Sequence, residues 1–298
     1  MIGRLFACVL LLLLVPQALP AADVLTDSLV ALDGETLVAG SGLQKARKST
    51  APFDRSLAPL DVGPGPFVDT ERLLLPLLIG ATIPGSFGSI WTTELVTRNT
   101  ASVPIWIGPE PSQMSPLPAP DFTREPETTF QIGISPTVFS PAWLYVETGH
   151  ADDVAVNLRV KDISRQSLTY GTEMPVVRER EFRTSMDLMN IPTDDRFRST
   201  LRIYRQPGPQ HELVQVMFYD MDDNRMLAEA AVGVEGPGAS IQPPPYGEIG
   251  DLTAQLPQLR SANKLRIKLI PDSPEEKIWA FVSVTNNETQ HVTLITPQ

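Results

Sequence analysis

Apolar and polar residues alternate with a period of two along several stretches of the chain. In residues 154–161, Val154, Val156, Leu158 and Val160 fall on one side, with Asn157, Arg159 and Lys161 on the other. Val214, Val216 and Phe218 alternate with Gln215, Met217 and Tyr219, and Leu265, Ile267 and Leu269 alternate with Arg266 and Lys268. Successive side chains of a strand point to opposite faces, so each stretch predicts a strand with one face on a core and the other in water. Residues 73–79 form a continuous apolar run interrupted by Pro76, which predicts an edge or a bulge because proline has no N–H to give a ladder. Trp279 and Phe281 lie opposite Ile278, Ala280 and Val282, the pattern of a central strand that is apolar on both sides. Trp91 shares a face with Leu95, and Phe197 with Leu201, so both aromatics are expected in a core. Turn residues separate the runs at Pro207-Gly208-Pro209, Gly236-Pro237-Gly238 and Pro271-Asp272. No helical periodicity survives the prolines, and the expected fold class is all-β, built as antiparallel β-sandwiches.

The chain has 298 residues, enough for about two domains. The run Trp91-Thr92-Thr93-Glu94-Leu95-Val96 is similar to Phe197-Arg198-Ser199-Thr200-Leu201-Arg202, and residues 156–175 are similar in pattern to 281–297. Two matches in the same order predict two tandem modules, each the size of one sandwich. The expected organisation is a signal peptide at 1–22, a polar and partly disordered segment at 23–68, a first sandwich at 69–177 and a second at 178–298. Mixed charges at Arg178, Glu179, Arg180, Glu181 and Arg183 mark the junction. Within the N-terminal segment, Asp33-Gly34 predicts a small hairpin over residues 28–39. Residues 109–141, with Pro109, Pro111, Pro116, Pro118 and Pro120, predict a long loop running extended over the surface.

The N-terminus has the pattern of a secretory signal: Arg4, then an apolar run over residues 5–15, then Pro16, Pro20, Ala21 and Ala22. The run is shorter than the roughly 20 residues that span a bilayer, so no membrane span is expected once the signal is cleaved. Export to the periplasm, the cell surface or the medium follows. Cys8 is the only cysteine and lies inside the signal, so the exported chain is expected to fold without disulfides. A net charge of −11, from 24 basic and 35 acidic residues, argues against nucleic acid as a partner and leaves a protein or a glycan.

The strand from Trp91 to Leu95, the strand Arg196-Phe197-Arg198-Ser199-Thr200-Leu201 and the closing run from Trp279 to Thr289 resemble uncharacterised exported bacterial proteins with tandem immunoglobulin-like β-sandwich modules. The resemblance covers about residues 70–298. It implies an envelope or extracellular role and carries no catalytic residue with it.

Candidate chemistry is sparse. His150, His211 and His291 are isolated, and no zinc-ligand spacing is present. Asp220-Met221-Asp222-Asp223-Asn224 begins like a calcium loop, but Arg225 stands where the loop needs Gly and Ala231 where it needs Glu, so a solvated hairpin turn is the better account. Gly85-Ser86-Phe87-Gly88-Ser89 lacks the spacing of a nucleophile elbow and predicts the turn before the Trp91 strand. No catalytic residue, metal or cofactor is expected. Trp106 is the one binding candidate, because it points opposite to Val103, Ile105 and Ile107, and an exposed Trp stacks on sugars or plugs into a partner. The competing account packs it beneath the proline-rich loop. The functional expectation is a non-catalytic exported protein with a structural or binding role. A carbohydrate-binding accessory module and a hydrolase with its site at the domain junction are the alternatives.

Overall fold

The computed structural model describes residues 29–32, 69–108, 122–134, 139–165, 170–207, 212–234 and 244–298. The expected signal peptide and most of residues 23–68 lie outside the described residues. The described residues are all-β, with a single short α-helix among them, α1 (Leu252–Gln255). Strand β1 (Leu29–Leu32) is followed by β2 (Thr70–Ile79), β3 (Ile83–Pro84), β4 (Ile90–Asn99), β5 (Ile105–Gly108), β6 (Thr123–Arg124), β7 (Thr129–Ile134), β8 (Phe139–Glu147), β9 (Val154–Asp162), β10 (Thr172–Met174) and β11 (Val177–Arg178). Then come β12 (Met186–Pro192), β13 (Phe197–Arg205), β14 (Glu212–Asp220), β15 (Met226–Val234), β16 (Tyr246–Ile249), β17 (Lys264–Pro271), β18 (Ile278–Asn286) and β19 (Val292–Ile295).

The described strands form four antiparallel sheets. Their orders are β1-β7-β4-β9-β10, β11-β2-β8-β5-β6, β12-β17-β14-β15 and β16-β13-β18-β19, with β3 paired to β4. The first two sheets belong to the N-terminal half and the last two to the C-terminal half. Setting β1, β3 and β11 aside and numbering eight strands in each half, both halves have the order 5-2-7-8 in one sheet and 1-6-3-4 in the other.

The alternation seen in the sequence becomes the inside and outside of these sheets. Val154, Leu158 and Val160 of β9 are buried while Asn157, Arg159 and Lys161 are partly exposed, and β14 and β17 divide in the same way. Register aligns like with like: Leu95 of β4 faces Leu158 of β9 and Ile132 of β7, and Phe218 of β14 faces Ile267 of β17. Residues 73–75 of β2 and 142–146 of β8 are buried on both faces, which is why these runs do not alternate. The buried apolar side chains of all four sheets join in one contiguous core.

One expectation changes. Residues 109–141 are not one long loop, because β6 and β7 lie within them. Phe130 and Ile132 of β7 are buried and alternate with exposed Thr129 and Gln131, a period-two signal that the neighbouring prolines obscure. In the expected hairpin at 28–39, only Leu29–Leu32 is described, and it pairs with β7 from Leu29↔Ile134 to Leu32↔Gln131.

Pro76 produces the bulge that its chemistry requires. The β2–β8 register shifts between Leu75 and Leu78. Partner β11 reaches only Leu73 and Leu74, so the Pro76 carbonyl is free to point away from the sheet. It accepts a hydrogen bond of 2.7 Å from the Tyr204 hydroxyl on β13, which fastens the C-terminal half to the N-terminal one. Burial raises the pKa of this hydroxyl far above its ordinary value, so it remains a donor.

Candidate functional site

The outer face of β13, β18 and β19 is turned toward the N-terminal half. Register places Arg198 beside Thr285, Thr200 beside Ser283, Arg202 beside Phe281 and Tyr204 beside Trp279. At one end of this face the aromatics close the junction. Tyr204 stacks on Phe281 with ring centroids 6.2 Å apart and planes 5° from parallel, and Trp279 lies 5.9 Å from Tyr204 and 5.6 Å from Phe281. At the other end the halves separate and leave a cleft of about 220 Å³. Its floor carries the hydroxyls of Thr200, Ser283 and Thr285, and its opposite wall is apolar, from Ile79, Ile83, Trp91, Val160 and Met174. Thr172 on β10 donates to the Val292 carbonyl on β19 at 2.8 Å and ties the two sheet edges together beside the cleft.

A network of local bonds holds the rim. Asp162 ends β9 and is almost fully buried. Its Oδ1 accepts from the Ile90 N–H at 3.0 Å, the Ser164 N–H at 3.0 Å and the Ser164 hydroxyl at 2.6 Å, while Oδ2 accepts from Arg165 Nη1 at 2.8 Å. Arg165 Nη2 donates to the Phe87 carbonyl at 2.9 Å, so the Asp162 corner anchors the turn at residues 86–88. Phe87 is held at φ +56°, a left-handed conformation that costs a non-glycine residue free energy, and its ring is 66% exposed. The ring lies 5.8 Å from the Arg198 guanidinium across the junction. On the same turn, Trp91 Nε1 donates to Ser89 Oγ at 2.9 Å, and Ser89 Oγ donates to the Ser86 carbonyl at 2.8 Å. Gly85 is needed there, since a Cβ would lie 2.3 Å from Ser89 Oγ and 2.4 Å from Trp91 Nε1. The turn expected before the Trp91 strand therefore fixes the indole as a wall of the cleft. Trp91 is half-buried and lines a cavity, where the sequence expectation is a plain core position.

Burial alone would push the Asp162 carboxyl up, but the bonds from Ser164, the Ile90 N–H and Arg165 outweigh it and hold the pKa below the ordinary value. A depressed folded-state pKa contributes stability that is complete above the unfolded value of about 3.9 and is lost as pH falls through the folded value. Asp162→Asn, which keeps the shape and loses the charge-assisted acceptors, is expected to cost about 2 kcal/mol at neutral pH. Urea midpoints compared at pH 7 and pH 3 should then fall further in the natural protein than in the variant.

The two arginines of the cleft are used differently. Arg202 Nε donates to Glu248 Oε2 at 2.8 Å. Arg198 meets Gln290 Oε1 at 3.5 Å, the limit of a hydrogen bond, and no carboxylate of the described residues lies within ion-pair distance of it.

The residues singled out from sequence lie elsewhere. Trp106 is 4% exposed and packs edge-on to Phe122, with centroids 6.2 Å apart, so it does not present a surface platform. His150 bonds Asp153 Oδ2 at 3.1 Å on the surface; His211 lies outside the described residues and His291 follows the turn after β18. The turn at Asp220-Met221-Asp222-Asp223-Asn224 is closed internally. Asp220 Oδ1 accepts the Asp222 N–H at 3.0 Å, and Arg225 lies 3.4 Å from Asp223 and 3.7 Å from Asp220. Among the described residues no group of three or more His, Cys, Asp or Glu side chains is placed to hold a metal ion. Sequence reasoning misses the cleft because Arg198, Thr200, Ser283 and Thr285 occupy the polar positions of their strands, which read as solvent-facing. Compared with family models, curated proteins and solved structures, the chain matches none.

Proposed function

We propose that this is an exported, non-catalytic protein of two tandem β-sandwich modules, which binds a ligand at the cell envelope or outside the cell. The observation that carries the reading is the cleft at the module junction. Its lining offers guanidinium and hydroxyl donors above hydrocarbon, which is chemistry that holds a molecule in place. The identical strand order in the two halves supports a duplicated module with boundaries near residues 69–177 and 178–298. The immunoglobulin likeness is one of architecture: in constant-type domains the second strand lies between the first and the fifth, whereas here it lies between the fifth and the seventh. Export rests on the charged, apolar and small-residue pattern of residues 1–22.

The test is expression of the full chain in a bacterium, followed by fractionation and N-terminal sequencing. A product outside the cytoplasm beginning near Asp23 supports the reading, and an uncleaved cytoplasmic product overturns export. Turnover of polysaccharides or esters by the purified chain would overturn the non-catalytic part.

A further inference from the structure

We propose that the junction cleft binds a small apolar carboxylate, a short hydrocarbon chain or single ring ending in one carboxylate group, with Arg198 as the residue that takes the head. The proposal rests on the binding-module reading above and names the ligand class of that site.

The charge balance of the lining points to an anion. The protein as a whole is acidic, with a net charge of −11, yet the cleft is lined by two arginines and no acidic side chain. Arg202 is already satisfied by Glu248, so one guanidinium is left for a ligand. Arg198 is partly buried between the sheets, and its bond to Gln290 is at the limit of length. A guanidinium presents its donors as a rigid planar fork that matches a carboxylate in bidentate fashion, and partial removal from water strengthens the pair. A single uncompensated cation suits a single negative charge better than a dianionic phosphate, which draws on several donors.

The apolar requirement comes from the opposite wall. Ile79, Ile83, Trp91, Val160 and Met174 offer hydrocarbon and one aromatic face, and Phe281 closes the floor. The Trp91 indole spends its N–H on Ser89, so it meets a ligand with its ring rather than as a donor. The hydroxyls of Thr200, Ser283 and Thr285 line up beside Arg198 and supply a second donor to the same head. The exposed Phe87 ring lies over the guanidinium and screens one of its faces from water, leaving the edge of the fork for the ligand. At about 220 Å³ the cleft falls below the ~300–1,000 Å³ of drug-sized sites, which restricts the tail to a short chain or one ring.

The experiment is isothermal titration of the full chain with octanoate, octanol and octyl phosphate, repeated on Arg198→Gln and Arg198→Lys after circular dichroism has verified their fold. The expected result is saturable binding of octanoate, about tenfold weaker binding of octanol, and octanoate binding to R198Q no better than that of octanol. Arg198→Lys, which keeps the charge and loses the fork, should recover part of the affinity. Equal binding of octanol and octanoate, or octanoate binding unchanged in R198Q, overturns the carboxylate assignment and leaves the binding-module reading standing. Tighter binding of octyl phosphate than octanoate overturns it in favour of a phosphate head. Binding of none of the three overturns the proposal, while the module reading is decided separately by export and turnover. If R198Q does not fold, the three-ligand comparison on the natural chain together with R198K still decides.

Discussion

Tyr204→Ala should lower the unfolding free energy by about 3–5 kcal/mol, the range for deleting a large buried ring whose site cannot collapse. Tyr204 is fully buried and is the hub of the junction aromatics. It stacks on Phe281, tilts against Trp279 and lies 6.4 Å from Tyr246. Strands β13 and β18 hold these partners at fixed register, so the vacated space stays open rather than being filled by a neighbour. The alanine also leaves the Pro76 carbonyl buried without its donor, which adds the desolvation cost of an unpaired acceptor. Tyr204→Phe separates the two contributions. It keeps the stacked ring, removes only the 2.7 Å hydrogen bond, and should cost about 1–2 kcal/mol. Urea denaturation of the three proteins measures both differences. A phenylalanine variant as unstable as the alanine variant would show that the hydroxyl, and not the ring, holds the halves together.

Glu276→Ala is expected to be equally severe, at roughly 3–5 kcal/mol, for an electrostatic reason. Arg205 ends β13 with its side chain 4% exposed, and its Nη1 lies 2.7 Å from Glu276 Oε1, whose side chain is 10% exposed. Removing the carboxylate takes a 2.7 Å charged partner from a guanidinium that is almost wholly buried, in a setting that water reaches poorly. The pair itself is a different matter, because bringing two charges out of water offsets most of their attraction. Replacing both at once, Arg205→Met with Glu276→Leu, should come close to neutral in the same denaturation assay. A double variant as unstable as Glu276→Ala would mean that the pair stabilises the fold by more than mutual neutralisation.

The sequence carries most of the architecture and little of the site, and particular residues show why. Val154 to Lys161, Val214 to Tyr219 and Leu265 to Leu269 each alternate over enough positions to identify the strand and its buried face. Pro76 announces a bulge because a missing N–H is a local property of one residue. The similarity of Trp91–Val96 to Phe197–Arg202 corresponds to β4 and β13, which hold the same place in their sheets. Strand β7 escaped because prolines on both sides dominate the local reading, although Phe130 and Ile132 carry the alternation. The cleft is illegible for another reason. A polar face on a strand looks the same whether water or another sheet lies over it, and only the Pro76–Tyr204 contact and the aromatic cluster around Tyr204 decide which. Trp106 follows the competing account: its parity opposite Ile105 and Ile107 allows exposure, but β5 lies between β8 and β6 and is buried on both faces, and the indole packs on Phe122 within the proline-rich segment.

The pairing of β1 with β7 has a consequence for the order in which the molecule comes apart. Its four residues meet partners about a hundred positions further along the chain, so this is among the most non-local ladders in the fold and should be among the later ones to form. A four-residue strand at the rim of a sheet returns few hydrogen bonds for that closure, whereas β7 is also held from the other side by β4. β1 is therefore expected to detach while the rest of the protein stays folded, and in a hydrogen-exchange experiment the β7 amides that face it should exchange before those that face β4. What is then uncovered is an unpaired backbone edge running from Gln131 to Ile134, a template on which another strand can assemble.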